Sequence, residues 1–71
     1  MTEKTIEIRI NGESKRINPE LTIAELLVEL DISQKLIAVA LNGVVVRRRE
    51  LDQVQIVASD EIEIVRAVGG G

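Results

Sequence analysis

The stretch LTIAELLVEL, residues 21–30, decides the fold, because it predicts the main helix of the chain. Thr22 is placed as the N-cap and Glu25 follows three residues later, which is the spacing of a capping box. Leu21 should pack against Leu26 as a hydrophobic staple. The apolar residues of the stretch then recur at helical spacing, at Ile23, Leu26, Leu27 and Leu30. The segment therefore predicts one amphipathic helix that covers a sheet and ends near Leu30.

The residues before this helix predict an antiparallel hairpin. Isoleucine alternates with polar residues over residues 5–10, which is the period of a half-buried strand. Asn11-Gly12 follows at once, and this dipeptide readily takes the positive φ angles of a tight turn. Residues 14–18 should therefore fold back as the partner strand, and Lys15 and Arg16 indicate that this strand lies at an exposed sheet edge.

The residues after the helix predict a second hairpin. Residues 36–41 alternate between large apolar side chains and alanines, and they read as a strand. Asn42-Gly43 repeats the turn signal before a short return strand of three valines. Residues 47–52 are mostly charged and predict a turn or loop, whereas residues 54–57 fit either an extended or a helical connection.

A final strand completes the predicted fold. Ser59-Asp60 predicts a turn into this strand, in which Ile62 and Ile64 should point inward while the glutamates beside them point outward. Two hairpins, one helical crossover and a last strand give an α+β fold, with a mixed five-stranded sheet and one main helix on one face. This is the outline of the ubiquitin-like β-grasp. We expect residues 1–68 to form the folded β-grasp domain and residues 69–71 to form a flexible tail.

Composition argues against several classes of function. The chain has 71 residues, enough for one small domain. Without cysteine or histidine, it has no disulfide, no thiolate nucleophile and neither of the commonest soft metal ligands. A net charge of -3 and the absence of aromatic residues argue against nucleic acid as a partner. No secretory signal or membrane span is evident, so we expect a cytoplasmic protein. We also expect a monomer that binds no cofactor itself.

The glycines Gly69-Gly70-Gly71 need a separate explanation. They gain nothing for folding, since glycine loses the most conformational entropy on ordering. Gly69 and Gly70 instead form a thin thread that can enter a narrow enzyme channel, and Gly71 should carry the α-carboxylate. Adenylation by ATP would make this carboxylate an acyl donor, which a sulfur or amine nucleophile attacks with loss of AMP. We therefore interpret the tail as the reacting group.

Other chemical groups are less promising. The three serines have no histidine to act as a base. Glu61 and Glu63 fit a solvated strand face better than an acid-base pair or a cation site. The run Arg47-Arg48-Arg49 allows two interpretations, a docking patch for an acidic partner or phosphate and a solvated loop that blunts a sheet edge. The loop is the favoured interpretation.

Four segments resemble the ThiS family of sulfur carriers in thiamin biosynthesis. They span almost the whole chain: ING at 10–12, TIAELL at 22–27, VALNGVVVR at 39–47 and DEIEIVRAVGGG at 60–71. The last two are the specific ones, because a capping box or an Asn-Gly turn alone occurs in many proteins. The resemblance implies that an adenylating enzyme similar to ubiquitin-activating enzymes, ThiF, adenylates Gly71 with Mg-ATP. Sulfur from a cysteine desulfurase would then form a thiocarboxylate, which the thiazole synthase ThiG would receive.

Several related functions remain open beside this one. MoaD-type carriers of molybdopterin synthesis and carriers for tRNA thiolation share the fold and the Gly-Gly ending. A ubiquitin-like modifier, joined to protein lysines, would use the same activated carboxylate. A third class is a non-covalent β-grasp interaction domain whose tail is incidental.

The strand pattern adds a hypothesis about partner binding. If the isoleucines of the last strand face the helix, the residues between them lie on the open face of the sheet. Exposed apolar surface beside a functional group is typical of interaction sites. We predict that small apolar residues form the partner-binding patch beside the tail, namely Val65, Ala67, Val68, Ala38 and Ala40.

Overall fold

The computed structural model describes residues 4–66, apart from the side chain of Leu36. The strands are β1 (Ile6–Ile10), β2 (Glu13–Ile17), β3 (Ile37–Leu41), β4 (Val44–Val46) and β5 (Glu61–Arg66), and the helix is α1 (Ile23–Glu29). Two short 3-10 helices, Gln34–Leu36 and Arg48–Glu50, precede β3 and follow β4. Among the described residues, no helix has the length and apolar character needed to cross a bilayer.

The five strands form one mixed sheet in the order β2-β1-β5-β3-β4. The two Asn-Gly hairpins are antiparallel, β5 runs parallel to β1, and β5 runs antiparallel to β3. The last strand in sequence is therefore the central strand in space. This arrangement confirms the predicted α+β, ubiquitin-like β-grasp fold, with β2 at an exposed edge.

The start of α1 shows why these residues form a helix. Thr22 Oγ1 accepts a hydrogen bond from the Glu25 backbone N–H at 3.1 Å, and Glu25 Oε1 accepts one from the Thr22 N–H at 2.8 Å. The predicted capping box is thus confirmed, and each bond satisfies a donor that the helix leaves unpaired. Leu30 is the C-cap, so the helix ends where the sequence predicted.

The core is built from aliphatic residues alone, as the composition requires. Nine of the described residues are buried hydrophobics: Ile8, Ile17, Ile23, Leu26, Leu27, Val39, Leu51, Ile56 and Ile62. They come from the helix, from four of the strands and from the long connection before β5. Burial of each such side chain stabilises the fold by about 1.5–3 kcal/mol before entropy costs are subtracted.

The connection between β4 and β5 packs against the start of α1. The sequence predicts a turn or loop for residues 47–52, and the structure has a 3-10 helix there. Leu51 in this segment is buried, and its carbonyl accepts a hydrogen bond from Ala24 N–H at 2.9 Å. Gln55 forms an isolated antiparallel bridge with Thr22, so the extended alternative is correct for residues 54–57. Strand β3 begins at Ile37 and not at residue 36, because residue 36 is the last residue of the 3-10 helix that Ser33 caps.

Candidate functional site

Strand β5 leads toward the predicted reacting tail and presents different side chains to its two faces. Ile62 is buried, and Ile64 is half-buried against the core below the helix. Glu61, Glu63 and Val65 alternate with them and are exposed on the open face. The alternation predicted for this strand is therefore confirmed.

Small apolar residues from three strands meet on the open face. Val65 on β5 lies directly opposite Ala38 on β3, and Ala40 lies opposite Val45 on β4. Val65 is 60% exposed and Val45 is 72% exposed, and Ala38 is exposed as well. We call Ala38, Ala40, Val45 and Val65 the open-face patch.

The pairing of β3 with β4 and β5 shows two features of the open-face patch that the sequence does not predict. Glu63 on β5 lies opposite Ala40 on β3, so its carboxylate borders the open-face patch. Val45 joins the patch, although the three consecutive valines of β4 have no alternation that would show which one faces outward. Only the pairing of β4 with β3 assigns that face, and pairing register is not visible in a short uniform run.

The other half of the open face is charged. Glu7 on β1 lies opposite Arg16 on β2, and Arg9 lies between Ser14 on β2 and Glu61 on β5. All of these residues are exposed. The open face therefore divides into a charged half on β2 and β1 and an apolar half on β3 and β4, with β5 between them.

The remaining predicted site residues follow β5 in the chain. Ala67 and Val68 of the predicted patch, and the tail residues Gly69, Gly70 and Gly71, lie outside the described residues. Of the predicted partner-binding set, the structure brings together Ala38, Ala40 and Val65.

The start of β5 is held by polar side chains that sequence reasoning had assigned only to turns. Asp60 is 7% exposed; its Oδ2 accepts from Val57 N–H at 2.8 Å and its Oδ1 accepts from Asn42 Nδ2 at 3.0 Å. Asn42 Oδ1 in turn accepts from Glu61 N–H at 2.9 Å, and the Asn42 N–H donates to Glu61 carbonyl at 2.7 Å. The second hairpin turn is thereby joined to the first residue of β5.

The first hairpin turn contacts β5 farther along. Asn11 Oδ1 accepts from Ile64 N–H at 2.8 Å, and Asn11 Nδ2 donates to Ile64 carbonyl at 3.3 Å. Both turn asparagines have a φ of 52°. The turn conformation alone accounts for both asparagines in the sequence, so their presence gave no signal that the amide groups, which can donate and accept at once, also contact β5.

The arginine run has a structural contact. Arg48 Nη2 donates to Lys35 carbonyl at 2.9 Å, which ties the segment after β4 to the 3-10 helix before β3. Arg47, Arg48 and Arg49 are all exposed. This contact supports the interpretation of the run as a solvated surface segment.

Other side chains on the described surface offer little for catalysis. Ser33 Oγ accepts from Lys35 N–H, Ser14 lies on the edge strand, and Ser59 lies in a turn with a φ of 72°. Across residues 4–66, no group of three or more acidic, histidine or cysteine side chains is placed to hold a metal ion. What the described residues offer is strand β5, exposed on its open face, and the apolar open-face patch beside it.

Known proteins resemble the chain in both sequence and structure. The model of the ThiS family matches residues 8–71. The crystal structure of the thiamine biosynthesis protein ThiS from Geobacter metallireducens superposes with a TM-score of 0.82 at 29% identity, over 93% of this chain and 100% of that chain.

Two sequence relatives differ in length. The uncharacterized protein ycf40 of Porphyra purpurea is 35% identical over 71 residues, which is 100% of both chains. A thiazole synthase of Paramagnetospirillum magneticum is 33% identical over 66 residues, which is 93% of this chain but only 20% of that protein. The chain belongs to the ThiS family of sulfur carrier proteins, as its sequence segments predicted.

Proposed function

We propose that this protein carries sulfur as a thiocarboxylate on Gly71 and donates it for thiazole formation in thiamin biosynthesis. The observation that carries the proposal is the family match, which runs through the three glycines to residue 71. Residues 1–68 act as the folded carrier, and residues 69–71 act as the tail that enters the partner enzymes. The domain itself is a carrier and co-substrate, with no bound cofactor.

The chemistry requires two steps at one carboxylate. An oxygen of the Gly71 carboxylate attacks the α-phosphorus of Mg-ATP on the adenylating enzyme, and pyrophosphate leaves. A sulfur nucleophile then attacks the carbonyl carbon and expels AMP. Where the sulfur arrives as a persulfide from a cysteine desulfurase, a thiol cleaves the remaining sulfur–sulfur bond and is itself oxidised to a disulfide.

The partners follow from these steps. A ThiF-like enzyme supplies adenylation, a cysteine desulfurase supplies sulfur, and a thiazole synthase of the ThiG type accepts it. The segment of a thiazole synthase that is similar to this chain supports the last of these partners. Since the first step consumes ATP, we place the reactions in the cytoplasm, with the carrier monomeric between encounters.

The open-face patch is the proposed docking surface for these enzymes. Its residues are small and apolar, so a partner can approach the sheet closely and displace water from it. Val65 lies near the end of β5 and precedes the tail in the chain, so the interaction would hold the strand shortly before the reacting residues. Ala67 and Val68 extend this surface in the proposal.

Reconstitution tests the proposal. The domain is incubated with a ThiF-like enzyme, Mg-ATP, a cysteine desulfurase and cysteine, and its intact mass is measured. We expect pyrophosphate release and a mass increase equal to the difference between sulfur and oxygen. The matched control lacks Gly70-Gly71: it should keep the wild-type melting temperature, since the described hydrogen bonds and core lie within residues 4–66, but should not accept sulfur.

Two results would contradict the proposal. Equal sulfur transfer to the truncated control would show that the glycine tail is not the acceptor. Adenylation followed by isopeptide conjugates on lysine, with no sulfur incorporated, would instead indicate a ubiquitin-like modifier.

A further inference from the structure

Strand β1 ends before β5 does, and this leaves part of the central strand without a neighbouring backbone. β1 pairs with β5 at Arg9 with Glu61 and at Ile10 with Ile62. The chain then turns away at Asn11, whose N–H still donates to Ile62 carbonyl at 2.9 Å. On this side of β5, the next backbone groups belong to Ile64, beyond the last residue of β1.

The Asn11 side chain takes the place of the missing strand. Its amide accepts from Ile64 N–H at 2.8 Å and donates to Ile64 carbonyl at 3.3 Å, so both backbone groups are paired. Among uncharged side chains of this length, only an amide supplies a planar donor and acceptor pair that imitates a peptide group. The ladder on this side of β5 is thereby extended by one side chain.

The turn conformation explains how one residue performs both tasks. Asn11 has a φ of 52° and Gly12 has a φ of 86°, so the backbone reverses while the Asn11 side chain stays beside β5. Asparagine tolerates this left-handed conformation better than most residues. A glycine at this position would keep the turn and lose the contact with Ile64.

We propose that Asn11 is a positioning residue for sulfur transfer, because it fixes β5 at the last inward-facing isoleucine before the tail. Beyond Ile64, the described strand contains only Val65 and Arg66, which pair with Ala38 and Ile37 on β3. Release of the Asn11 side chain would leave β5 paired with β3 alone from Ile64 onward, because Val65 and Arg66 have no partner on the β1 side within the described part of the chain. The inference rests on the proposed function, since a fixed strand end matters only if partner enzymes must receive the tail.

Loss of this contact should weaken binding to the adenylating enzyme more than it slows the adenylation step. A frayed strand end must be ordered when the partner binds, and that cost appears as weaker binding. We therefore expect the KM of the adenylating enzyme for the domain to rise while kcat stays the same. Two lost hydrogen bonds correspond to an increase of about fivefold to tenfold in KM.

The test compares Asn11→Gly with Asn42→Gly. Both variants keep an allowed left-handed turn residue, and each removes an amide that contacts β5, but Asn42 contacts Glu61 at the opposite end. Amide hydrogen exchange and steady-state adenylation are measured for both. For Asn11→Gly, we expect Ile64 exchange about tenfold faster and the rise in KM, whereas Asn42→Gly should leave KM at the wild-type value.

A second variant separates positioning from folding. Asn11→Asp keeps an acceptor for Ile64 N–H but places a carboxylate against Ile64 carbonyl, so it should raise KM in the same direction without changing the turn. Unchanged KM in Asn11→Gly, or an equal rise in Asn42→Gly, would overturn the inference. If no ThiF-like enzyme adenylates the wild-type domain, the proposed function itself fails. If the wild-type domain reacts and Asn11→Gly reacts equally well, only the inference about Asn11 fails.

Discussion

At its start, strand β5 is held by hydrogen bonds on both sides, whereas near its end a single exposed side chain holds it on the β1 side. At the start, Asp60 is buried and binds both Val57 and Asn42, while its carbonyl accepts from Arg9 N–H at 3.0 Å. Near the other end, Ile64 is held on the β1 side by one exposed side chain, that of Asn11. Hydrogen bonds that are buried contribute more to stability than exposed ones do.

The difference suits the two ends of β5 to different roles in the proposed function. The start of β5 anchors the strand in the fold, and the end of β5 presents the residues that lead to the glycines. Regions that meet partners are commonly drawn from the less stable parts of a structure. We therefore expect changes at the start of β5 to reduce stability, and changes at its end to reduce partner binding.

The largest expected effect lies at the anchored end. Asp60→Ala removes the acceptor for Val57 N–H and for the Asn42 amide, and should lower the free energy of unfolding by about 3 kcal/mol. Urea denaturation measures this loss. Asp60→Asn, which keeps one acceptor oxygen, should lose less, and equal stability of Asp60→Ala and the wild type would contradict the anchoring role.

Asn42→Gly should have the next largest effect. It keeps the turn but removes the acceptor for Glu61 N–H and the donor to Asp60. We expect the free energy of unfolding to fall by about 1–2 kcal/mol, because one exposed and one part-buried bond are lost. The same denaturation experiment measures it, and a loss larger than that of Asp60→Ala would reverse the proposed order.

At the presenting end, Val65→Asp should weaken binding rather than folding. Val65 is 60% exposed, so a carboxylate there meets solvent in the free domain but must be desolvated when a partner covers the patch. We expect about a tenfold weaker affinity for the adenylating enzyme. Isothermal titration measures the affinity.

A matched control exists for this substitution on the opposite side of the molecule. Val28 lies on α1 and is 74% exposed, so Val28→Asp places the same charge on a comparably open surface away from the patch. Its affinity should stay at the wild-type value. Equal weakening in both variants would mean that added negative charge, and not the patch, determines binding.

The smallest expected effect is a gain in stability at the turn before β5. Ser59 has a φ of 72°, a conformation in which residues other than glycine and asparagine are strained. Ser59→Gly should therefore raise the free energy of unfolding by about 0.5–1 kcal/mol, after the entropy that glycine adds to the unfolded chain. A lower melting temperature in this variant would contradict the strain argument.

Local sequence signals predicted the elements of the fold. Thr22 with Glu25 identified the start of the helix, and the two Asn-Gly pairs identified both hairpins, because each signal acts within a few residues. The faces of β3 and β5 followed from alternation, so Ala38 and Val65 were assigned correctly to the open face.

Contacts between distant residues could not be predicted in this way. Asn11 and Ile64 are 53 residues apart, and no local pattern links an amide in one turn to the backbone of the last strand. Leu51 is buried but stands in a charged segment, where neither helical nor strand spacing marks it as a core residue. The first contact depends on the pairing of β5 with β1, and the burial of Leu51 depends on the packing of the β4–β5 connection against the start of α1.

In the proposed function, the carboxylate of Gly71 becomes a thiocarboxylate. Mass spectrometry of the protein isolated from its own cells, with fragmentation of the C-terminal peptide, tests it most directly. We expect a fraction of molecules in which one sulfur replaces one oxygen at Gly71. A terminal glycine that carries only oxygen while the cells synthesise thiamin, or one joined to lysine side chains of other proteins, would contradict it.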